Sequence, residues 1–153
     1  MKEIKQSLFN RFWKIWTEIL GKDKLVIVLE GKHDEKVLKK LHFSGVIVKC
    51  QAHGIEKTID KITAEKPQNV LILTDFDKAG ELEARKLGLE LESLGIKILN
   101  NYRNEFRRIF PHISRIEELN NLVDVLIDNM PSYIRYLRNI RNFKKIIDLK
   151  SLE

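Results

Sequence analysis

The acids Glu30, Asp75 and Asp77 carry the chemical interest of this sequence. Glu30 follows the apolar run Leu25-Val-Ile-Val-Leu29, Asp75 follows Val70-Leu-Ile-Leu73 and Thr74, and Asp77 comes two residues later in a segment closed by Gly80. A pair spaced by two, leaving a strand in a tight loop, can turn both carboxylates toward one point, and glycine supplies the backbone freedom such a loop uses. If Glu30 ends a neighbouring strand, three carboxylates converge. Left bare they would repel one another and shift their pKa values, a strain that a hard, oxygen-preferring divalent cation relieves. Magnesium fits best, and manganese can substitute. Cys50 is the only cysteine, and no close histidine pair stands at metal-ligand spacing, which argues against a zinc centre.

Positioning such a cluster requires strands that end together. Leu25–Leu29 reads as a strand, followed by the acidic turn Glu30-Gly31 and a helix from Asp34 to Leu41. A second unit places a short strand at Val46–Cys50 and a helix at Gly54–Ala64, with Ile55, Ile59 and Ile62 on one face and Pro67 closing it. The third unit has the continuous apolar strand Val70–Leu73, suited to burial on both faces, then the loop with Asp75 and Asp77, and a helix from Glu81 to Leu94 stopped by Gly95. Ile96–Leu99 makes a fourth strand. This alternation predicts an α/β fold with a mostly parallel sheet of about four strands flanked by helices. In such open sheets ligands bind outside the carboxyl ends of the strands, where Glu30 and Asp75 fall.

Two helical regions flank this core. Between Lys5 and Leu20, the residues Leu8, Phe12, Ile15, Trp16 and Ile19 recur at helical spacing, widened by Phe9, Trp13 and Leu20. This amphipathic helix is expected to pack on the protein's own sheet; a partner or homodimer surface is the alternative. From Tyr102 the pattern turns helical, with Ser114 and Glu117 as a capping-box pair before Ile116, Leu119, Val123 and Leu126, and a break at Met130-Pro131. The tail then repeats Ile134, Leu137, Ile140, Phe143 and Ile147 on one side and Arg135, Arg138, Arg141 and Lys145 on another. The whole reads as a single domain over residues 1–153: an N-terminal helix within 1–22, an α/β core over 24–100 and a helical C-terminal extension of two helices over 101–153.

Composition bounds the setting. With 153 residues, 43% hydrophobic and 33% charged, the chain has enough apolar matter for one core. No apolar run approaches the roughly 20 residues of a membrane span, and no secretory signal is evident, so a cytoplasmic, membrane-free setting is expected. A lone cysteine in an apolar stretch reads as a core thiol. The formal charge of +6 favours a polyanionic partner.

Glu30-Gly31-Lys-His-Asp34, followed after a βα unit by Asp75-Phe-Asp77-Lys-Ala-Gly80, resembles the Toprim signature, an acidic-glycine motif paired with an aspartate-x-aspartate motif. The resemblance covers residues 24 to 100. Toprim domains occur in type IA and II topoisomerases, bacterial-type primases, overcoming-lysogenization nucleases, recombination-repair proteins and ribonucleases that mature ribosomal RNA. The resemblance implies a Rossmann-like Toprim fold, with Glu30 as general acid or base in phosphoryl transfer and Asp75 and Asp77 holding magnesium. Gly31 and Asp34 match the rest of the first motif and Gly80 the glycine closing the second. Asp34 would orient the loop or simply cap the next helix.

The resemblance also implies nucleic acid, RNA or DNA, as partner. Lys32 and Lys78 flank the acids and would hold a phosphate or stand as solvated charges; Arg135, Arg138 and Arg141 would touch a nucleic-acid backbone or form a solvated helix face. His33 reads as an incidental loop residue. The chain is too short for the topoisomerase domains that carry a strand-cutting tyrosine, so Tyr102, Tyr133 and Tyr136 are not assigned that role. The expected activity is a nuclease-like or nucleotidyl-transfer reaction on phosphodiesters. The alternative is a non-catalytic module that binds RNA, DNA or a ribonucleoprotein and acts with a larger partner.

Overall fold

The computed structural model describes residues 6–50 and 54–132, and the C-terminal row of Arg135, Arg138 and Arg141 lies outside the described residues. The chain divides into two compact units, one formed by residues 1–22 with 124–153 and the other by 23–123.

In the first unit, α1 spans Gln6–Leu20, and its expected apolar stripe is buried at Phe9, Phe12, Trp13, Ile15, Trp16 and Ile19. Phe12 meets Trp13 edge-on at 5.1 Å between ring centroids and stacks on Trp16 at 6.0 Å. The Trp13 indole N–H donates to the Leu126 carbonyl at 2.9 Å, so the polar handle of this buried ring is satisfied.

The second unit is the α/β layer. In chain order it comprises β1 (Leu25–Leu29), α2 (Lys32–Lys40), β2 (Val46–Lys49), α3 (Gly54–Ala64), β3 (Asn69–Ile72), α4 (Lys78–Ser93), β4 (Lys97–Ile98), α5 (Asn100–Ile109) and a 3-10 helix (Ile116–Asn121), before α6 (Val123–Asp128). The four strands form one sheet in the order β2-β1-β3-β4, parallel throughout. Val26 pairs with Val46 on one side and Val70 on the other, which makes β1 and β3 the central strands. All five β1 residues are buried, as the unbroken apolar run requires of a strand covered on both faces. On one face Val26, Val28, Val70 and Ile72 pack against Ile59 and Ile62 of α3 and Ala84, Leu87 and Leu91 of α4. The other face is covered by α2 and α5. Burying each such Ile, Leu or Val contributes about 1.5–3 kcal/mol before entropy is counted.

The predicted strands agree to within a residue or two at their ends. Ladder hydrogen bonds continue one residue beyond three of them, from Cys50 N to Leu29 O, Leu73 N to Val28 O and Leu99 N to Val70 O. Helix starts differ more, and the reason is capping. α4 begins at Lys78, three residues before the expected Glu81, because Asp77 is its N-cap and accepts a 2.8 Å hydrogen bond from Gly80 N. α2 begins at Lys32 because Asp34, at its third position, reaches back to the Gly31 N–H at 3.1 Å.

The stretch expected to be one helix after Ser114 is instead the 3-10 turn followed by the short α6. The N-cap is Arg115, not Ser114, and Glu118, not Glu117, is the residue that reaches Ser114, accepting from its N–H at 2.8 Å and from its hydroxyl at 3.2 Å. Three residues per turn then set Ile116 and Leu119 on the same side, both fully buried.

Candidate functional site

Because β1 leads to β2 on one side and β3 lies on the other, the sheet order reverses between β1 and β3. Glu30 and Asp75 follow these two adjacent strands, so both acids stand at the carboxyl edge beside the switch point. The two motifs touch directly: Glu30 Oε1 accepts a 3.3 Å hydrogen bond from the Asp75 backbone N–H. Asp77 is exposed, with one carboxylate oxygen committed to capping α4.

Gly80 serves this loop through its lack of a side chain, not through backbone freedom as the sequence suggested. A Cβ there would collide with the Asp75 carbonyl, so only glycine lets the start of α4 lie against the backbone that carries the acid. Asp34 is 3% exposed and both its oxygens are used. Oδ2 accepts from Gly31 N, and Oδ1 accepts from Glu117 N at 2.7 Å. Both alternatives for Asp34 therefore hold at once: it caps α2 and fixes the motif in place.

The electrostatics match a cluster of like charges. Burial pushes the Asp75 carboxyl up to about 6, reinforced by the charges of Glu30, Asp34 and Asp77 and opposed by Arg115. Glu30 is also raised, first by burial, against the backbone hydrogen bond from Asp75, and further by Glu83. Among the described residues, no lysine or arginine forms an ion pair with Glu30, Asp75 or Asp77. Glu30 and Asp75, partly desolvated, mutually repelling and without a paired cation, have the oxygen-donor chemistry whose strain a hard divalent ion relieves.

Lys32 and Lys78 are exposed at the first positions of α2 and α4, and His33 is exposed beside Lys32.

Three residues in this region, Glu83, Arg103 and Arg115, escaped sequence reasoning, as did the nearness of Cys50 to the acids. Glu83, on α4, and Cys50, one residue past β2, come with Glu30 into a group whose ligand atoms all lie within 4.8 Å of one another; Asp75 and Asp77 stand outside that set. Cys50 is a buried core thiol as expected, but its Sγ lies 3.8 Å from Glu30 and 3.9 Å from Glu83, and burial with these two charges pushes it up to about 12. Arg103, on α5, is 5% exposed. Its guanidinium donates to the carbonyls of Ile72 (3.0 Å), Thr74 (3.1 Å) and Asp75 (2.9 Å), bonds Glu81 at 3.2 Å and lies 4.7 Å over the Phe76 ring. One cation thus braces the whole exit of β3. Arg115 precedes the 3-10 helix, with its side chain 53% exposed. Arginines and glutamates are common on solvated helices, and nothing local marks these as convergent.

A family model described as the Toprim domain matches residues 25–110. A UPF0292 protein of Pyrococcus abyssi is 34% identical over 121 residues, 75% of this chain and 89% of that protein. One of Methanocaldococcus jannaschii is 32% identical over 102 residues, 66% of this chain and 80% of that protein. Among solved structures, a putative protein from Aquifex aeolicus superposes with a TM-score of 0.56 at 27% identity, covering 76% of this chain and 99% of that one. No helix among the described residues is long and apolar enough to cross a membrane.

Proposed function

This chain belongs to the Toprim domain family, whose members are metal-dependent and work on nucleic acid, and on that footing we propose that it is a magnesium-dependent phosphoryl-transfer protein of nuclease-like or nucleotidyl-transfer type. The observation that carries the reading is the meeting of Glu30 and Asp75 at the carboxyl ends of adjacent central strands, with the Asp75 carboxyl pushed up to about 6 by burial and like charge.

In this reading Asp75 and Asp77 hold the metal and Glu30 moves the proton. Bound magnesium, or manganese, would neutralise phosphate charge and favour attack on phosphorus. Glu30 suits general acid–base work because its raised pKa brings it nearer to neutral pH than an exposed carboxylate. Asp34 keeps the Glu30-Gly31 turn in register through the Gly31 N–H, and Arg103 keeps the Thr74–Asp75 backbone from relaxing toward solvent. Lys32 and Lys78 would add positive potential for a phosphate backbone, as would Arg135, Arg138 and Arg141.

The test is cleavage of labelled RNA and DNA, single-stranded and structured, with magnesium or manganese, using wild type, Glu30→Gln and Asp75→Asn. Metal-dependent cutting that both substitutions abolish supports the enzyme. Cutting that survives both removes these acids from the reaction.

One observation favours a second reading, a non-catalytic module that binds RNA, DNA or a ribonucleoprotein beside a larger partner. Glu30 is already engaged at both oxygens, Oε1 by the Asp75 N–H and Oε2 by the Cys50 thiol at 3.8 Å. The same panel distinguishes it: no cutting under any metal, with binding that both substitutions leave intact.

A further inference from the structure

We propose that Arg115 is a substrate-phosphate contact of this site, presented by a segment that is fastened to both acidic motifs; the inference rests on the nucleic-acid reading above. Residues on either side of Arg115 are tied down by a backbone bond. Before it, the Ser114 carbonyl accepts a 2.7 Å hydrogen bond from Phe76 N, the residue between Asp75 and Asp77. After it, Glu117 N donates to Asp34 Oδ1 at 2.7 Å. Ser114 is itself clamped by the Glu118 carboxylate. Arg115 between them is extended, with φ −153° and ψ 156°, which is relaxed backbone.

What this fastening delivers is a cation beside the acids. The Arg115 charge is close enough to act on the carboxyls of both Asp34 and Asp75. It makes no short bond with either. Asp34 has spent its two oxygens on backbone N–H groups, and the ion pair from Arg115 to Glu117 is 3.6 Å long with both side chains over a third exposed. A pair of that kind adds little to stability. Arg103 shows the contrast, since its guanidinium is consumed by carbonyls and Glu81.

Arg115 thus places a planar, weakly committed guanidinium within the field of Asp75 on a backbone anchored at Ser114 and Glu117. That geometry suits bidentate capture of a phosphodiester oxygen pair. Lys32 and Lys78 begin helices and offer only point charges on flexible stems.

The experiment is fluorescence anisotropy of labelled single-stranded and hairpin RNA and DNA in magnesium, across a salt series. It uses wild type, Arg115→Ala and, as a charge-matched control, Arg108→Ala, whose exposed guanidinium pairs with Glu105 on α5. Arg115→Ala is expected to weaken binding about tenfold, the loss of one charge-assisted bond. The slope of log affinity against log salt should fall by about 0.7–0.9, and Arg108→Ala should leave it unchanged. Calorimetric titration of the oligonucleotide-free protein with magnesium should show undiminished or tighter binding in Arg115→Ala, because a cation repelling the metal is gone. Unchanged affinity and slope in Arg115→Ala, or a parallel loss of magnesium binding, overturns this inference and leaves the reading of the site standing. A wild-type protein that binds none of the oligonucleotides overturns that reading, and this inference with it.

Discussion

The Asp34 carboxylate accepts the Glu117 backbone N–H at 2.7 Å and so ties the first acidic motif to a segment 83 residues further along the chain. The same side chain holds the Gly31 N–H at 3.1 Å.

Asp34→Ala removes a helix cap and leaves two backbone donors without their partner. The expected loss is about 2–4 kcal/mol of unfolding free energy. Asp34→Asn should recover only part of it, since one of its two acceptors becomes an NH2 facing an N–H. Urea denaturation of the three proteins checks this, and an Asn variant as stable as wild type would show that the second oxygen does not matter.

Gly80 and Gly88 lie on the same helix and predict opposite outcomes for the same change. A Cβ at Gly80 runs into the Asp75 backbone, whereas one at Gly88 meets only Ile72 Cδ1 and Ile98 Cγ2, each at 3.8 Å. Gly80→Ala is expected to destabilise by about 1–3 kcal/mol or more. Gly88→Ala, in a helix interior with room for a methyl, is expected to stabilise by about 0.5–1 kcal/mol. The midpoints in urea decide; a stabilised Gly80→Ala would mean that the loop and α4 separate without cost.

Asp75 makes stability depend on pH in a stated direction. Its carboxyl lies at about 6 in the folded protein against an ordinary 3.8, with burial the first cause, so folding takes up protons between those values. Stability contributed by the neutral acid is complete below about pH 4 and lost as pH rises through about 6. In chelator, the melting temperature should fall across that window, and Asp75→Asn should flatten the decline and melt higher than wild type at pH 7. Magnesium should raise the wild-type melting temperature at pH 7 and leave Asp75→Asn nearly unmoved. A variant melting below wild type in chelator at pH 7 would contradict this.

Arg103→Lys substitutes a point charge for a fork that serves three carbonyls and Glu81. The expected loss is about 2–4 kcal/mol, with weaker magnesium binding because the Asp75 backbone is no longer braced. Thermal unfolding and magnesium titration read the two effects separately. A variant within about 0.5 kcal/mol of wild type would show that the fork geometry is not what matters.

The strands were legible because burial on both faces forces runs such as Leu25–Leu29, and the two motifs were legible because they sit where those runs stop. The starts of α2 and α4 are less legible: Asp77 is read for its charge while it also caps α4, and Asp34, for which a capping role is one of the two readings, caps from the third position of α2 instead of preceding the helix. Least legible are Glu83, Arg103 and Arg115, and of Cys50 the burial is legible but not the approach to Glu30 and Glu83. Arg103 looks like any arginine of a solvated helix until the chain folds and the exit of β3 presents it with three carbonyls. The partner of Ser114 is Glu118 instead of Glu117 because the 3-10 helix starts one residue later than expected, with Arg115 as its N-cap, and Glu118 is then its third position.

The bond from Trp13 to the Leu126 carbonyl spans 113 positions, and this imposes an order on biosynthesis. α1 is the first described helix to leave the ribosome, yet its indole partner follows more than a hundred residues later. The parallel sheet, contained within residues 25–98, is fully translated before that partner emerges. The nascent α1, rich in Phe and Trp, must therefore wait in an unfinished state, and this is the interval in which a chaperone would have most to hold.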